Sequence, residues 1–418
     1  MKVSKDIRNL LDNTISFSVI QALRYIIPMA TIPYLIRVLG ADIFGAIAFA
    51  QAIMIYFSLL SDYGFNFTGP RDISINRDNL KKVSEVFSSI MVIKVALTIV
   101  GLCILLVCLA TIPRLQEENT LLVLSCYGVV VSRALSVGWL FQGFEKIRYY
   151  AIIAAVFQFG YAVAVFILVK NVDDFLLVPI INSASLIIAE ALSLIVAIKV
   201  FNLQIVVPSI SRIRIQIKEG FHFFLSQLSL SSYTVMNSVL LGFFTTNRVI
   251  GYYSAAEKCI RALEGLLQPV VNSLYPYMVR TQNLSLLNKI ICVTSLAGIL
   301  STVSVYFYSN LLVEILFGKG FEYSADLLRV FVLEWIIVFP SAIIGTPYLV
   351  AFGYPEYFSK SNMLGTGAYF VGVIVIYSHI DPMNIIIITL ISHGIVLVWR
   401  LFGVFQHLSP LKFRRISR

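Results

Sequence analysis

Charge is scarce in this chain. Of its 418 residues 13% are charged and 58% hydrophobic, and the mean hydropathy is +0.86. A water-soluble domain cannot carry that pattern, so the aqueous-phase enzyme and binding classes are excluded. Histidine is rare and dispersed (His222, His379, His393, His407), with neither metal nor triad spacing. The five cysteines (Cys103, Cys108, Cys126, Cys259, Cys292) all lie inside apolar runs and read as packing residues, not disulfides or metal ligands. No phosphate-binding loop occurs, because Gly318-Lys319-Gly320 lacks both the upstream glycine and the following hydroxyl residue. Neither an ATP site nor any other cofactor is expected. The net charge of +10 resolves into loop topology, so nucleic acid is not an expected partner.

What the chain does have is long apolar runs. Twelve segments can cross a hydrocarbon core of about 30 Å: residues 14–39, 43–63, 83–110, 120–141, 150–169, 175–198, 220–245, 250–279, 290–310, 325–351, 360–379 and 383–406. The expected fold is an all-α polytopic membrane protein. The first run is too long for a signal-peptide core and is expected to stay as a helix. Twenty Lys and Arg residues fall on one set of connections, including Arg71, Lys81, Lys82, Lys146, Lys199, Arg212, Arg214 and Lys218. The alternate set holds four, Arg114, Lys170, Arg248 and Lys319. Both termini are therefore expected in the cytoplasm.

A gapless shift of 206 residues places Phe17 on Phe223, Gln21 on Gln227, Leu35 on Leu241, Gly45 on Gly251 and Ala50 on Ala256. Segments one and seven both start on the basic side, so the repeat would be parallel: two six-helix lobes around a central cavity. The expected division is an N-terminal lobe (1–198), a basic linker (199–219) and a C-terminal lobe (220–418).

The chemistry lies in charges placed within the spans. An isolated Arg24 near a bilayer centre costs about 2.5 to 3.5 kcal/mol, so it is expected to face a water-filled cavity or a partner. Gln21, Arg24, Pro28 and Thr31 share one helix face. Pro28 leaves the Arg24 carbonyl without its helical partner, and Pro28, Pro269 and Pro340 are candidate hinges. Lys94, Arg133, Glu190, Lys258, Arg261, Glu264 and Glu334 are further intramembrane charges. Arg37, Arg329 and Arg400, nearer segment ends, are expected to extend toward headgroups. Segment eight carries a polar stripe of Ser254, Glu257, Lys258, Arg261, Gly265, Gln268 and Asn272, in which Glu257 and Glu264 stand at pairing distance from Arg261. Segment seven offers Gln227, Ser231, Thr234, Asn237 and Ser238, suited to sugar hydroxyls or to helix packing. A basic, polar cavity of this kind suits an anionic headgroup with polar substituents, because an arginine fork holds two phosphate oxygens at once.

Short motifs run along nearly the whole chain: Pro33-Tyr34-Leu35-Ile36-Arg37-Val38-Leu39-Gly40 with Phe44-Gly45, Asp62-Tyr63-Gly64-Phe65 leading to Arg71-Asp72-Ile73, Phe141-Gln142-Gly143-Phe144-Glu145-Lys146, and Leu316-Phe317-Gly318 followed by Ser324-Ala325. In order and spacing the chain resembles the bacterial lipid-linked oligosaccharide flippases of the polysaccharide transport family, within the multidrug/oligosaccharidyl-lipid/polysaccharide exporter superfamily. The resemblance implies a multi-pass protein of the bacterial inner membrane, not an enzyme. It would move a polyprenyl-pyrophosphate-linked oligosaccharide, such as an O-antigen repeat unit of lipopolysaccharide, by alternating access. It also implies headgroup contacts in the first and eighth helices, here Arg24 and Arg261, with Lys94, Arg133, Gln21, Gln227 and Gln268 as further candidates. Glu264 and Glu334 dilute the positive potential and are candidates for proton or sodium coupling. Membrane lipids, a polysaccharide polymerase and chain-length machinery are the expected partners. Two other readings compete, a membrane glycan polymerase or ligase and a multidrug exporter. The first needs a sizeable external loop, and the connection around Asn310 to Ser324 is short; the second needs cavity carboxylates without matching arginines.

Overall fold

The structure is a computed structural model that describes the backbone of residues 2–265 and 267–407 and the side chains of residues 26–229, 231, 235–265 and 267–406. All regular structure among the described residues is helical. In the first half run α1 (Lys2–Asp62), α2 (Phe65–Ile75), α3 (Leu80–Thr111), α4 (Pro113–Gln116), α5 (Thr120–Leu135), α6 (Gly138–Gly143), α7 (Ile147–Leu168), α8 (Leu177–Phe201) and α9 (Ile210–Thr234). The second half holds α10 (Met236–Phe244), α11 (Asn247–Glu264), α12 (Leu267–Thr281), α13 (Leu284–Phe317), α14 (Glu322–Phe331), α15 (Leu333–Ile343), α16 (Pro355–Val375) and α17 (Pro382–His407). Chain contacts gather into two compact units, Met1–Ser231 and Ser232–Arg418. The division lies near the end of α9.

Each of the twelve apolar segments falls on helix. Among the described residues eight helices are long and apolar enough to cross a membrane. Segments 220–245, 250–279 and 360–379 lie outside these eight: the first breaks between α9 and α10, the second at Gly265, and α16 carries Ser361, Asn362, Thr366 and three glycines. Asparagines set the start of the long spans. Asn79 accepts the Lys82 N–H, Asn119 those of Leu121 and Leu122, and Asn283 that of Leu286, which satisfies donors the first helical turn cannot.

The 206-residue shift has a counterpart in the backbone. Within α1 the non-helical residue is Gly40 (φ 73°, ψ 174°), and the shift carries it to Thr246, where the chain is extended before α11. It likewise carries the end of α3 at Thr111 to the end of α13 at Phe317. Pro28 keeps helical geometry inside α1, Pro269 sits in the first turn of α12, and Pro340 lies in α15 just before a π-helical stretch, Ile344–Val350, that contains Pro347. At N1 to N3 a proline forfeits no helical hydrogen bond, so Pro269 is accommodated by the break before it.

In the first unit, α9 is docked by the Asp62-Tyr63-Gly64-Phe65 turn. Gly64 has φ 80°, and a Cβ there would sit 2.6 Å from the Phe223 Cβ; a Cβ at Gly220 would sit 2.7 Å from the Tyr63 carbonyl oxygen. Tyr63 stacks on Phe224 and Phe67 on Phe223, with centroids 5.2 and 5.4 Å apart. Beside them Arg71 bridges Asp72 and Glu219, and Gln216 donates to Asp72 at 2.8 Å. The motif residues thus fasten one helix to another.

Candidate functional site

Each unit holds its own cluster of charges inside the helices. In the first, segment four is not continuous: α5 stops at Leu135 and Ser136 turns extended before α6. The break frees the Ser136 carbonyl, which accepts from the Lys94 Nζ at 3.1 Å and from the Trp139 indole N–H at 3.1 Å. Lys94 is fully buried, and its ammonium also meets Asp62 at 3.2 Å. Arg133 approaches the other Asp62 oxygen at 4.0 Å while its side chain stays 42% exposed. Tyr150 donates to Glu190 at 2.7 Å, and the second oxygen of this buried carboxylate makes no hydrogen bond. Aspartate, lysine and arginine compensate one another, as charges removed from water must.

The second cluster is centred on Arg261 of α11, whose side chain is 30% exposed. Its Nη1 lies 2.6 Å from Glu264 and 3.2 Å from the buried Glu334 of α15, and its Nε 3.9 Å from Glu257. The Nδ1 of His393 on α17 lies 2.8 Å from the same Glu334 oxygen. Three carboxyl groups thus share one guanidinium, with His393 beside them. Nearby, Asn237 donates to Thr389 at 3.0 Å and accepts from the Tyr369 hydroxyl at 2.5 Å, so it serves helix packing here.

The sequence candidates therefore separate. Arg261, Glu264 and Glu334 come together; Lys94 and Arg133 share Asp62; Gln227 is half-buried and Gln268 exposed, and neither joins a charge cluster. Gln21 and Arg24 lie outside the residues whose side chains are described, as does Thr234. Asp62, Ser136 and His393 complete the clusters and were not singled out as site residues. Asp62 stands in the sequence only as the first residue of a motif, and the pairing of all three is tertiary, because the partners come from different helices. Arg400 corrects an expectation. It does not extend to headgroups but is buried, donating to the Ser341 carbonyl and hydroxyl (2.7 and 2.9 Å), to Ser361 (3.1 Å) and to Asn362 (2.9 Å), with its guanidinium 4.8 Å from the Phe358 ring centroid. Among the described residues no group of His, Cys, Asp and Glu could hold a metal ion.

Comparison with known proteins follows the same outline. A provisionally named O-antigen transporter of Escherichia coli (strain K12) is 27% identical over 354 residues, which is 83% of this chain and 85% of that protein. One of the same name from Shigella dysenteriae is 24% identical over 356 residues, 84% of this chain and 89% of its own. Among solved structures, the lipid II flippase MurJ in an inward closed conformation superposes with TM-score 0.69 at 15% identity, covering 95% of this chain and 87% of that one. An inward-facing multidrug resistance MATE family transporter of the MOP superfamily gives 0.65 at 12%, covering 91% and 94%. Likenesses at this identity establish the fold. The family model described as polysaccharide biosynthesis protein matches residues 10–282, and the chain belongs to that family.

Proposed function

We propose that this protein is a flippase, not an enzyme, that moves a lipid-linked oligosaccharide across the membrane by alternating access. The cargo is a polyprenyl-pyrophosphate-linked repeat unit of the O-antigen kind, carried from the cytoplasmic to the periplasmic leaflet of a bacterial inner membrane, with both termini cytoplasmic. Support comes from the family, from two relatives named for O-antigen transport, and from a fold shared with a lipid II flippase. A multidrug exporter shares the fold, but the relatives matched by sequence are named for O-antigen transport. A polymerase or ligase finds no support among these relatives. Polymerase and chain-length proteins would act on the delivered units and are proposed partners.

The observation that carries the mechanism is the Arg261 centre: a partly exposed guanidinium held by Glu264 and Glu334. An unaided pyrophosphate would lose its hydration in the bilayer at a cost of many kcal/mol. A guanidinium fork replaces that hydration with charge-assisted hydrogen bonds, but here its Nη1 already serves both Glu264 and Glu334. Pyrophosphate would compete with the carboxylates for it. A displaced Glu264 or Glu334, buried and without its arginine, would then take up a proton or sodium ion, which couples cargo to ion without any cofactor. Arg133, with Asp62 no nearer than 4.0 Å, is the candidate headgroup contact in the first unit, and Arg24 the candidate in the first helix.

The test is made in cells lacking this gene. Single, unpolymerised lipid-linked units accessible only from the cytoplasmic leaflet, with surface glycan restored by wild type but not by an equally abundant Arg261→Ala variant, are expected. Units reaching the outer leaflet in the deleted cells would overturn the flippase reading.

A further inference from the structure

The connection between α8 and α9 is irregular in backbone yet richly apolar: Leu203, Ile205, Val206, Val207 and, at the start of α9, Ile210. It is not detached from the helices. The Gln204 N–H donates to the Ser84 hydroxyl at 3.1 Å and the Val206 N–H to the Ser88 hydroxyl at 3.1 Å, so the extended chain lies along one face of α3. The match is geometric. Alternate residues of an extended chain advance about 6.6 Å and one helical turn of four residues about 6 Å, so two donors meet two serines in step.

The direction of this strap sets its place along α3. α3 begins at Leu80 beside Lys81 and Lys82, on the set of connections rich in basic residues. Ser84 lies about 6 Å and Ser88 about 12 Å along the helix from there, so the chain descends along α3 from its basic end. Non-helical backbone at such a depth is tolerated only where its polar groups are satisfied, which the two serines do for the donors of Gln204 and Val206. The side chains alternate accordingly: Leu203 is buried against the helices, while Ile205 is 79% and Val207 98% exposed. α9 then presents Ile210, Arg214, Ile217, Lys218 and Phe221 on one exposed face, apolar and cationic groups interleaved.

We propose that residues 203–210 form a lipid-embedded strap and that Arg214 and Lys218 beside it bind the headgroups of anionic phospholipids. Aliphatic side chains left bare beside exposed cations are the pattern of a segment seated at the headgroup and acyl boundary, where each basic residue adds attraction to an anionic surface. The occupant is the leaflet itself. This inference is independent of the cargo.

The test places a fluorescent reporter at the most exposed position. Full-length Val207→Trp protein is reconstituted into vesicles in which the brominated acyl chains are carried either by phosphatidylglycerol or by phosphatidylcholine, at equal total bromine. Of the native tryptophans, Trp139 and Trp335 are buried, and subtracting the wild-type signal isolates the added emission. The proposal expects that emission to be quenched about twofold more by brominated phosphatidylglycerol than by brominated phosphatidylcholine. Adding Arg214→Gln and Lys218→Gln should erase the difference while quenching persists. Quenching by aqueous acrylamide alone would place the segment in water, and equal quenching by the two lipids before the charge substitutions would show no headgroup recognition; either result overturns the proposal. Because Val207 packs against almost nothing, the single substitution reports even if the charge variant fails to fold.

Discussion

The Lys94 ammonium lies 3.1 Å from the Ser136 carbonyl oxygen, a carbonyl that is available because α5 ends one residue earlier. A helix break and a buried cation thus explain each other: a carbonyl without its helical donor would be costly in an apolar interior, and so would an ammonium with only one counter-charge. The same lysine holds Asp62, the first residue of the motif that docks α9.

Removing Lys94 alone should be severe. Lys94→Met leaves Asp62 with only the distant Arg133, and loss of one partner from a buried ion pair costs about 3 to 5 kcal/mol. The purified variant should unfold at clearly lower temperature or denaturant than wild type. Adding Asp62→Asn should recover part of that loss; no recovery would mean that the pair is not coupled.

Arg261 is expected to be irreplaceable in function by another cation. Arg261→Lys keeps the charge, and one ammonium can still meet Glu264 and Glu334 as Nη1 does, but it has no second arm of a planar fork for an incoming phosphate oxygen. One charge-assisted hydrogen bond is worth about 1.5 to 3 kcal/mol, so surface glycan should fall by about tenfold or more at equal protein abundance. Immunoblotting of both quantities in complemented cells decides it, and wild-type glycan with the lysine would remove the fork from the mechanism.

The close approach of Tyr63 and Gly220 leaves no room for a side chain. Gly220→Val should push α9 from its seat and destabilise the first unit by about 1 to 3 kcal/mol. Limited proteolysis of the purified protein should then cut the connection between α8 and α9 faster than in wild type, while an unchanged rate would show that α9 can shift without cost.

Arg400 should prove structural. In Arg400→Lys one ammonium cannot serve Ser341 of α15 together with Ser361 and Asn362 of α16, and the loss is about 2 kcal/mol. A thermal melt of the detergent-solubilised variant should show it, and a melt identical to wild type would mean that the guanidinium contacts contribute little.

Much of the architecture was legible beforehand. Apolar run lengths placed helix at all twelve segments, and a one-chain comparison at a shift of 206 found a kink and a helix end that recur in the backbone. Segment eight gave Arg261 with Glu257 and Glu264, because partners three and four residues apart share a face. What stayed hidden was each contact between helices. Glu334 and His393 lie far apart in sequence, and Arg400, near a segment end, looked suited to reach the headgroups until its three neighbours were in place.

The sequence by itself determined that this is a helical membrane protein, which side of its loops is basic, and which residues are too polar to face lipid unaided. Those are properties of composition and local period, fixed before any helix meets another. Only the tertiary structure decided how the polar residues are compensated: Lys94 by a broken helix's carbonyl, Arg261 by three carboxylates, and the linker's amides by Ser84 and Ser88. The physical reason is angular. Each residue turns a helix face by about 100°, and no local pattern specifies the rotation and depth at which two separate helices come to rest.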